Sequence, residues 1–332
     1  MYEKTRLLDS FCYFCESLHG IMDERRKIEE PVSAEFERFN KDFEASLRSE
    51  TTRLQSAIDV ILNSTGKHVR PLLVLLTAKV CGQVTDNTIN SAVLLELLHT
   101  ATLIHDDVID ETKQRRGVPS LNAIFDNRIS VLVGDYVLST ALIRSIQTGD
   151  LRIVGIISNL GRDLSEGEIK QLETAEESIL DENCYLQVIK KKTATLLSAC
   201  TEIGAISSGA SAEVIALCRE FGEYLGYCFQ IKDDIFDYFK EANIGKPTGN
   251  DIREGREEEA ARYLDMILRK DFAAENVDSL IEFAKANGGI EYAEARMKEY
   301  HDKAVDVLLR LPESGARTSL IQLADYIMTR SK

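Results

Sequence analysis

Two clusters of aspartate residues, each at the end of an apolar segment, are the feature that most constrains how this chain can fold. In residues 96–117, apolar side chains with helical spacing lead to Asp106, Asp107 and Asp110. On a helix, Asp106 and Asp110 lie one turn apart on the same face, where their charges repel each other. Hard carboxylate oxygens this close suit Mg²⁺, which completes its shell with water and substrate phosphate. The sequence therefore predicts a site for a metal-bound diphosphate.

The second cluster has the same spacing as the first. Residues 229–238 place Asp233, Asp234 and Asp237 after another apolar run. A single acidic triplet on a helix is usually a solvated surface feature, so one copy would be weak support for a metal site. Two copies, each following a hydrophobic segment, indicate carboxylates that face each other across a cavity and bind several Mg²⁺ ions.

Basic residues close to these segments predict where diphosphate groups bind. Arg115 and Arg116 directly follow the first cluster and offer fork-shaped donors for phosphate. Lys67 and Arg70 stand where a helix begins around Pro71, so backbone N–H groups add to an anion site there. The alternative is that this second pair only decorates a loop.

Lys192 and Thr193 fall in a predicted helix whose neighbouring residues are apolar. A buried lysine needs an anionic partner, and a diphosphate would supply one. An exposed lysine on a polar stripe is the equally open alternative. Residues 241–255, rich in glycine and containing Lys246, are predicted to be a loop that folds over a ligand as a lid.

The composition agrees with one large helical protein. The 332 residues are 44% hydrophobic and 29% charged, with five prolines and no tryptophan. Because no strand alternation or repeat interrupts the helical patterns, we expect a single all-α bundle. The net charge of −15 argues against nucleic acid as a general partner, since that needs a broad basic surface.

The hydrophobic spacing and the turn-forming residues between segments predict the helix boundaries. The predicted helices cover residues 33–63, a segment from about 71, then 88–110, 129–145, 151–174, 182–207, 211–240 and three or four shorter segments up to 332. Residues 1–21 are expected to be an extension, with 22–332 as the helical domain. Seven scattered cysteines indicate reduced thiols in a cytoplasmic protein, and no run of about 18 apolar residues predicts a membrane span.

These segments resemble the trans-polyprenyl diphosphate synthases, the chain-elongating enzymes of the polyprenyl synthetase family. The match runs from about residue 22 to the C-terminus and rests on GKHVRP, HTATLIHDDVIDETKQRRG, VGDYVLS, EGEIKQ, KKTATL, FQIKDDIFDY and GKPTGNDI, in the family's order. The resemblance implies a helical bundle around a central cavity, of the class I isoprenoid synthase type, usually assembled as a homodimer. It also implies Mg²⁺-dependent joining of isopentenyl diphosphate to an allylic substrate such as geranyl or farnesyl diphosphate, with an all-trans product.

The same resemblance implies roles for individual residues. The main Mg²⁺ ligands are matched by Asp106, Asp110 and Asp233, and further ligands or water-mediated partners by Asp107, Asp234 and Asp237. Positions that hold the allylic diphosphate are matched by Arg115, Lys192 and Lys246. Positions that orient the allylic group and steady the developing positive charge are matched by Thr193 and Gln230. The metal-free pocket for isopentenyl diphosphate is matched by Lys67, Arg70, His99 and Arg116.

The chain departs from the family pattern after the lid segment. Family members usually continue with a lysine and then a helix that starts with Thr-Leu-Pro. Here Arg256 provides the positive charge in place of the lysine, and no Thr-Leu-Pro sequence follows it. Arginine and lysine are not equivalent at phosphate, and loss of a helix beside the site would open the cavity. This departure bears on the efficiency of catalysis more than on the reaction type.

Small residues before the first cluster bear on product length, because in this family the growing chain extends along that helix. Thr102 and Ala101, four and five residues before Asp106, are not bulky. Leu98, one further turn away, is the next candidate barrier. We therefore expect a long-chain product. The alternative is that Ala101 simply packs in the core.

Two other functions are compatible with part of the pattern. A terpene cyclase shares the first acidic motif, but usually lacks the paired arginines and the GKxxR segment. A non-catalytic partner subunit of a prenyl synthase is the alternative from another class of protein. Such subunits tend to lose the aspartates, which are intact here.

Overall fold

The computed structural model describes residues 25–64, 66, 68–115, 117–177, 181–237, 257–271 and 273–330, and these are almost entirely helical. Residues 25–29 are helical, and a 3₁₀ turn at Glu30–Val32 joins them to the helix Ser33–Ser46. The α-helices are α1 (Ser33–Ser46), α2 (Thr52–Asn63), α3 (Val69–Cys81), α4 (Asp86–Ile109), α5 (Leu121–Phe125), α6 (Asn127–Gln147), α7 (Leu151–Glu177), α8 (Glu182–Ile189), α9 (Thr195–Ser207), α10 (Ala212–Asp237), α11 (Glu257–Leu268), α12 (Ala274–Ala286), α13 (Gly289–Leu309) and α14 (Gly315–Thr329). The prediction of an all-α fold is confirmed.

The structure differs from the sequence prediction within residues 33–63 and after α4, among other places. Residues 33–63 form two helices, because residues 47–51 interrupt them. In this interruption the Ser49 N–H donates to the Gln55 side chain at 2.9 Å, and the Thr51 N–H donates to the Ser49 hydroxyl at 3.1 Å. Such side-chain hydrogen bonds compete with helix continuation. The difference after α4 is a short antiparallel hairpin, with strands β1 (Gln114–Arg115) and β2 (Val118–Pro119), which are too short to show alternation.

Helix α4 lies at the centre of the bundle and carries the first acid cluster. It begins at a capping box, in which the Thr85 hydroxyl accepts from the Thr88 N–H and the Thr88 hydroxyl accepts from the Thr85 N–H. Buried residues occur on every side of this helix, as expected where other helices surround it. Helices α3, α6 and α9 pack against it. The aspartates are thereby held at one end of the core.

Between α8 and α9 the chain forms one π-helical turn, Lys190–Ala194. Single π turns inside helices are frequent at functional sites. Two neighbouring helices approach this turn closely at glycine. A Cβ added at Gly226 of α10 would lie 2.3 Å from the Ala194 Cα, and one added at Gly167 of α7 would lie 2.9 Å from the Lys191 Cβ. Glycine at these two positions therefore lets α7 and α10 contact the π turn.

Helix α6 has an apolar face that the described residues leave exposed. Leu132, Ile143 and Ile146 are 63%, 56% and 69% exposed. By length and composition, α6 is also the one helix among the described residues that could cross a membrane, with 33% of its most apolar stretch buried. Core helices of globular proteins satisfy the same criterion, so this single match is weak support for a membrane span.

The cysteines within the described ranges are free thiols, in keeping with the reduced state that the sequence indicates. They are Cys81, Cys184, Cys200, Cys218 and Cys228. We expected a boundary between an extension (residues 1–21) and a helical domain (residues 22–332). This boundary lies outside the described residues, which begin at 25, and it stays a prediction.

Candidate active site

The first acid cluster lies at the C-terminal end of α4. Asp110 caps the helix, and its N–H donates to the Asp106 carbonyl at 2.8 Å, so the two residues are one turn apart as the spacing predicts. Burial, together with the nearby carboxylate of Glu168, raises the pKa of Asp106 to about 6. A bound cation would favour the ionised form and relieve both effects. The donor set at this end of α4 therefore fits a Mg²⁺ ion.

Asp107, the middle member of the cluster, has different surroundings. Its side chain is buried, and the Arg115 guanidinium bonds both of its oxygens, with Nη2–Oδ1 at 2.7 Å and Nε–Oδ2 at 3.0 Å. The hairpin returns Arg115 to α4, and Asn122 Nδ2 donates to the Asp107 carbonyl at 3.0 Å. Two-point contacts between arginine and carboxylate are among the strong charge-assisted hydrogen bonds. Arg115 is thus held beside the first cluster by a carboxylate of the protein.

Lys192, in the π turn, is paired with α7. Its Nζ lies 2.6 Å from Glu168 Oε2 and 3.1 Å from Gln171 Oε1. The sequence left open whether this lysine would be exposed or would bind an anion. The structure gives it a carboxylate from the EGEIKQ segment, and its side chain is 27% exposed. The positive charge of Lys192 lowers the pKa of Asp106, whereas the negative charge of Glu168 raises it. Both residues therefore lie close to Asp106, and the π turn lies next to the first acid cluster.

The second acid cluster, on α10, contacts the same turn. The Thr193 hydroxyl donates to Gln230 Oε1 at 2.6 Å, and Gln230 Nε2 donates to Asp234 Oδ1 at 2.9 Å. Tyr185 of α8 donates its hydroxyl to Asp234 Oδ2 at 2.5 Å. Since Thr193 directly follows Lys192, a single helical turn connects the two acid clusters.

The end of the last helix brings a cation to the second cluster. Arg330, which follows α14, places its Nη2 2.6 Å from Asp233 Oδ1. Its guanidinium carbon lies 4.3 Å from the centre of the Phe229 ring, and its side chain is 14% exposed. The arginine is shielded from water while the Asp233 side chain is 40% exposed, and this ion pair joins the end of α14 to the acid cluster.

The acidic side chains do not by themselves form a complete metal cage. In the part of the chain that the structure describes, no group of three or more histidine, cysteine, aspartate and glutamate residues could hold a metal ion. A cation held by these carboxylates would take the rest of its coordination from water and phosphate oxygens, as Mg²⁺ usually does. The side chain of Asp237 lies outside the described residues, so its role stays a prediction.

A cavity of about 80 Å³ lies between α2, α4 and the hairpin. His99 and Arg115, both predicted to contact diphosphate, line it together with Glu96. Glu96 is buried, and its Oε1 lies 3.9 Å from the Nε2 of His68, which precedes α3. The structure therefore brings His99, predicted for the isopentenyl diphosphate pocket, and Arg115 to one cavity beside the first acid cluster.

The remaining diphosphate-binding candidates are mostly beyond the described residues. Lys67, Arg116, Lys246 and Arg256 lie outside them. Arg70 lies in the first turn of α3 and is half-buried.

The three chain-length residues lie on α4 but do not line that cavity. Leu98 and Ala101 are each 1% exposed and belong to the hydrophobic core. The Thr102 hydroxyl donates to the His99 carbonyl at 2.8 Å. Their role in product length stays a prediction.

Tyr185, Arg330 and Glu96 are among the site residues that the sequence did not predict. Glu96 could have been found, because a lone carboxylate in the run SAVLLELLHTA must be buried and needs a partner. Tyr185 and Arg330 gave no local signal, since their partners are 49 and 97 positions away in the chain.

Comparison with known proteins identifies the family of this chain. The family model described as polyprenyl synthetase matches residues 51–258, a range that contains both acid clusters and the π turn. The chain belongs to the polyprenyl synthetase family. It is therefore a prenyltransferase with the all-α fold of the class I isoprenoid synthases, as the resemblance implied.

Relatives of this polyprenyl synthetase family member match over nearly its whole length. The octaprenyl diphosphate synthase of Haemophilus influenzae is 32% identical, over 93% of this chain and 97% of that protein. The solved geranylgeranyl pyrophosphate synthase from Bacteroides thetaiotaomicron is 40% identical with a TM-score of 0.77, over 93% of this chain and 100% of that one. A polyprenyl synthase from Caulobacter crescentus was solved with calcium and isoprenyl diphosphate. It is 28% identical with a TM-score of 0.83, over 93% of this chain and 98% of that one.

Proposed function

We propose that this chain is a Mg²⁺-dependent synthase that condenses isopentenyl diphosphate with geranyl or farnesyl diphosphate to an all-trans, long-chain polyprenyl diphosphate. The π turn carries this proposal, because Lys192 lies beside the first acid cluster and Thr193 is hydrogen-bonded toward the second. The structure solved with calcium and isoprenyl diphosphate supports a divalent cation and a prenyl diphosphate at such a site.

In this proposal the acid clusters hold the cations and the basic residues hold the allylic diphosphate. When bound, Mg²⁺ neutralises charge on the departing diphosphate oxygens and makes the diphosphate a better leaving group. Lys192 and Arg115 bind the same diphosphate by exchanging their carboxylate partners, Glu168 and Asp107, for phosphate oxygens. These ion pairs keep both cations in place before the substrate arrives, so little rearrangement is needed on binding. The metal ligands in this proposal are Asp106, Asp110 and Asp233, with Asp107, Asp234 and Asp237 as further ligands or water-mediated partners.

Departure of the diphosphate leaves an allylic cation, which the isopentenyl double bond attacks before a proton is lost. The oxygens of Thr193 and Gln230 lie 2.6 Å apart and offer dipoles that steady this positive charge. Water would quench the cation, so the site must exclude it. The lid proposed for this purpose, with Lys246, lies outside the described residues.

The isopentenyl diphosphate itself must not ionise, so we propose that it is held without a metal. His99 lines the cavity beside α4, and Arg70 lies in the first turn of α3. Positively charged donors bind the diphosphate there but leave its C–O bond less polarised than metal ions would. The residues proposed for this pocket are Lys67, Arg70, His99 and Arg116, and Arg256 is proposed as a further substrate contact.

Small residues on α4 support a long-chain product, because neither Ala101 nor Thr102 closes the path below the aspartates with a large ring. The relatives named above include both a geranylgeranyl and an octaprenyl synthase, so names alone do not give the length. Ala101→Tyr is expected to shorten the product to about three or four isoprene units, because the ring would block the path one turn below Asp106. Chromatography of extracted products from a variant with an unchanged melting temperature tests this, and an unchanged product would reject it.

We also propose a cytoplasmic homodimer joined through the exposed face of α6. Leu132, Ile143 and Ile146 lie on one exposed face of that helix, here called the apolar stripe, with Asp135 and Ser139 between them. Exposed apolar residues on one helix face mark contact surfaces. A symmetric dimer would bury the stripe against its own copy. The free thiols of the described residues support a reducing compartment.

Incubation of the purified full chain with Mg²⁺, farnesyl diphosphate and labelled isopentenyl diphosphate tests the proposed function. We expect labelled, elongated prenyl chains that disappear when EDTA removes the cation. A cyclic hydrocarbon product would show a terpene cyclase instead. Absence of turnover by the chain alone would favour a non-catalytic partner subunit.

A further inference from the structure

Asp234 is held by hydrogen bonds at both of its carboxylate oxygens. Oδ2 accepts from the Tyr185 hydroxyl at 2.5 Å, and Oδ1 accepts from Gln230 Nε2 at 2.9 Å. The two donors belong to different elements, because Tyr185 lies on α8 and Gln230 lies on α10. All three side chains are partly buried, where hydrogen bonds to a charged group are stronger than in water. The carboxylate of Asp234 is therefore fixed from two sides.

The orientation of the Gln230 amide follows from this arrangement. An ionised carboxylate only accepts hydrogen bonds, so the amide must turn its NH₂ group toward Asp234. Its oxygen then faces Thr193, whose hydroxyl donates to it at 2.6 Å. Without a fixed carboxylate the amide could rotate by half a turn, since its last torsion has two nearly equivalent positions. That rotation would present N–H groups, which repel an allylic cation, in place of the oxygen.

We propose that Tyr185, which belongs to none of the sequence motifs, is a positioning residue for prenyl transfer. By holding Asp234, its hydroxyl keeps the oxygen of Gln230 directed toward Thr193 and the reacting allylic group. The ring of Tyr185 packs against the hydrophobic core, so the hydroxyl and the ring have separable roles. This inference rests on the roles proposed above for Thr193 and Gln230.

Tyr185→Phe tests the inference, because it removes the hydroxyl and keeps the ring. Tyr292→Phe is the matched control, since the Tyr292 hydroxyl also donates to a carboxylate, Glu182 Oε1 at 3.0 Å, but on the exposed surface. We expect Tyr185→Phe to lower kcat about tenfold, while the KM for isopentenyl diphosphate changes less than about twofold. Tyr292→Phe should leave both constants unchanged.

A double-mutant cycle with Gln230→Leu separates positioning from general stabilisation of the fold. If Tyr185 acts through Gln230, Tyr185→Phe changes kcat less than about twofold once Gln230 is leucine. If the two substitutions lower kcat independently, so that their effects multiply in the double variant, the inference is overturned. A wild-type kcat for Tyr185→Phe together with a reduced kcat for Gln230→Leu would also overturn it. A wild-type kcat for Gln230→Leu would reject the role proposed for Gln230 itself, and the inference with it.

Melting temperatures of all variants check that the fold is kept. If Tyr185→Phe does not fold, Tyr185→Leu provides the same cycle, because it also removes the hydroxyl and leaves an apolar side chain against the core. Its effect on kcat is expected to vanish in the Gln230→Leu background. Multiplying effects would again overturn the inference.

Discussion

At the scale of single residues, the members of one acidic motif have different surroundings, and these set their chemistry. Asp106 is half-buried next to Glu168, and its pKa is raised to about 6. Asp107 is buried and neutralised by Arg115. Asp110 is exposed at the end of α4. Without a cation, the ionised form of Asp106 is therefore disfavoured, as expected for a carboxylate that binds metal.

Asp106→Asn is predicted to stabilise the metal-free protein at neutral pH while it removes prenyl transfer. Because the folded pKa of about 6 exceeds the ordinary value of 3.8, the native chain binds more protons than the unfolded chain between these values. Stability therefore falls as the pH rises through this window and stays lower above it. A neutral amide removes this cost, which is of the order of 1 kcal/mol after solvent screening.

Thermal unfolding without metal measures this effect. The melting temperature of Asp106→Asn should exceed that of the wild type by about 2 °C near pH 7, and the difference should disappear near pH 4. Asp278→Asn, an exposed change of the same kind on α12, is the control and should shift neither value. An equal response of both variants at both pH values would contradict the explanation.

Residue spacing could be predicted from the sequence, but the partner of each residue could not. Asp106 and Asp110 share a face because helix geometry requires it. The pairing of Arg115 with Asp107 depends on a hairpin of two-residue strands, which leaves no periodic signal. The pairing of Lys192 with Glu168 likewise depends on how α7 packs on the π turn.

At the scale of secondary-structure elements, the site depends on how closely α10 approaches the π turn. Gly226 of α10 permits that approach, since an added Cβ would lie 2.3 Å from the Ala194 Cα. The backbone cannot yield as a flexible side chain would. The hydrogen bond from Thr193 to Gln230 lies across the same interface. The sequence predicted one helix over residues 182–207, because the π turn between α8 and α9 has the same apolar spacing as an uninterrupted helix.

Gly226→Ala is predicted to lower stability by about 2 kcal/mol or more, because the new methyl group forces α10 away from the turn. Activity should fall as Gln230 separates from Thr193. Gly161→Ala is the matched control, because a Cβ added there on α7 meets nothing within 4 Å. This control should be neutral or stabilising by up to about 1 kcal/mol, from the higher helix propensity of alanine. Thermal denaturation of both variants tests this, and equal melting temperatures would argue against tight packing at the turn.

At the scale of the whole molecule, the acid clusters and the exposed face of α6 belong to two separate surfaces. The acid clusters occupy the end of the core where α7 and α10 pack on the π turn and the end of α4 lies beside it. The apolar stripe of α6, with Leu132, Ile143 and Ile146 exposed, has no partner helix within the described residues. Hydrophobic spacing predicted a helix over residues 129–145, but spacing alone cannot distinguish burial in the core from burial in an interface.

Leu132→Glu is predicted to convert a dimer into a monomer, since it places a charge in the apolar stripe of both copies. Size-exclusion chromatography with light scattering should give twice the chain mass for the wild type and the single chain mass for the variant. Leu309→Glu, at a leucine that is 56% exposed on α13, is the control and should remain dimeric. A monomeric wild type would contradict the proposed interface.

Diffraction from crystals grown with Mn²⁺ and inorganic pyrophosphate, recorded at the manganese absorption edge, tests most directly whether the two acid clusters share one metal-bound diphosphate. We expect anomalous peaks bonded to Asp106 and Asp110 on one side and to Asp233 on the other, with one pyrophosphate between them. Arg330 should then have left Asp233 Oδ1 or have remained only on the oxygen that is not bonded to the metal. Manganese at one cluster alone, or pyrophosphate bound away from both, would show that the two clusters do not share a metal-bound diphosphate.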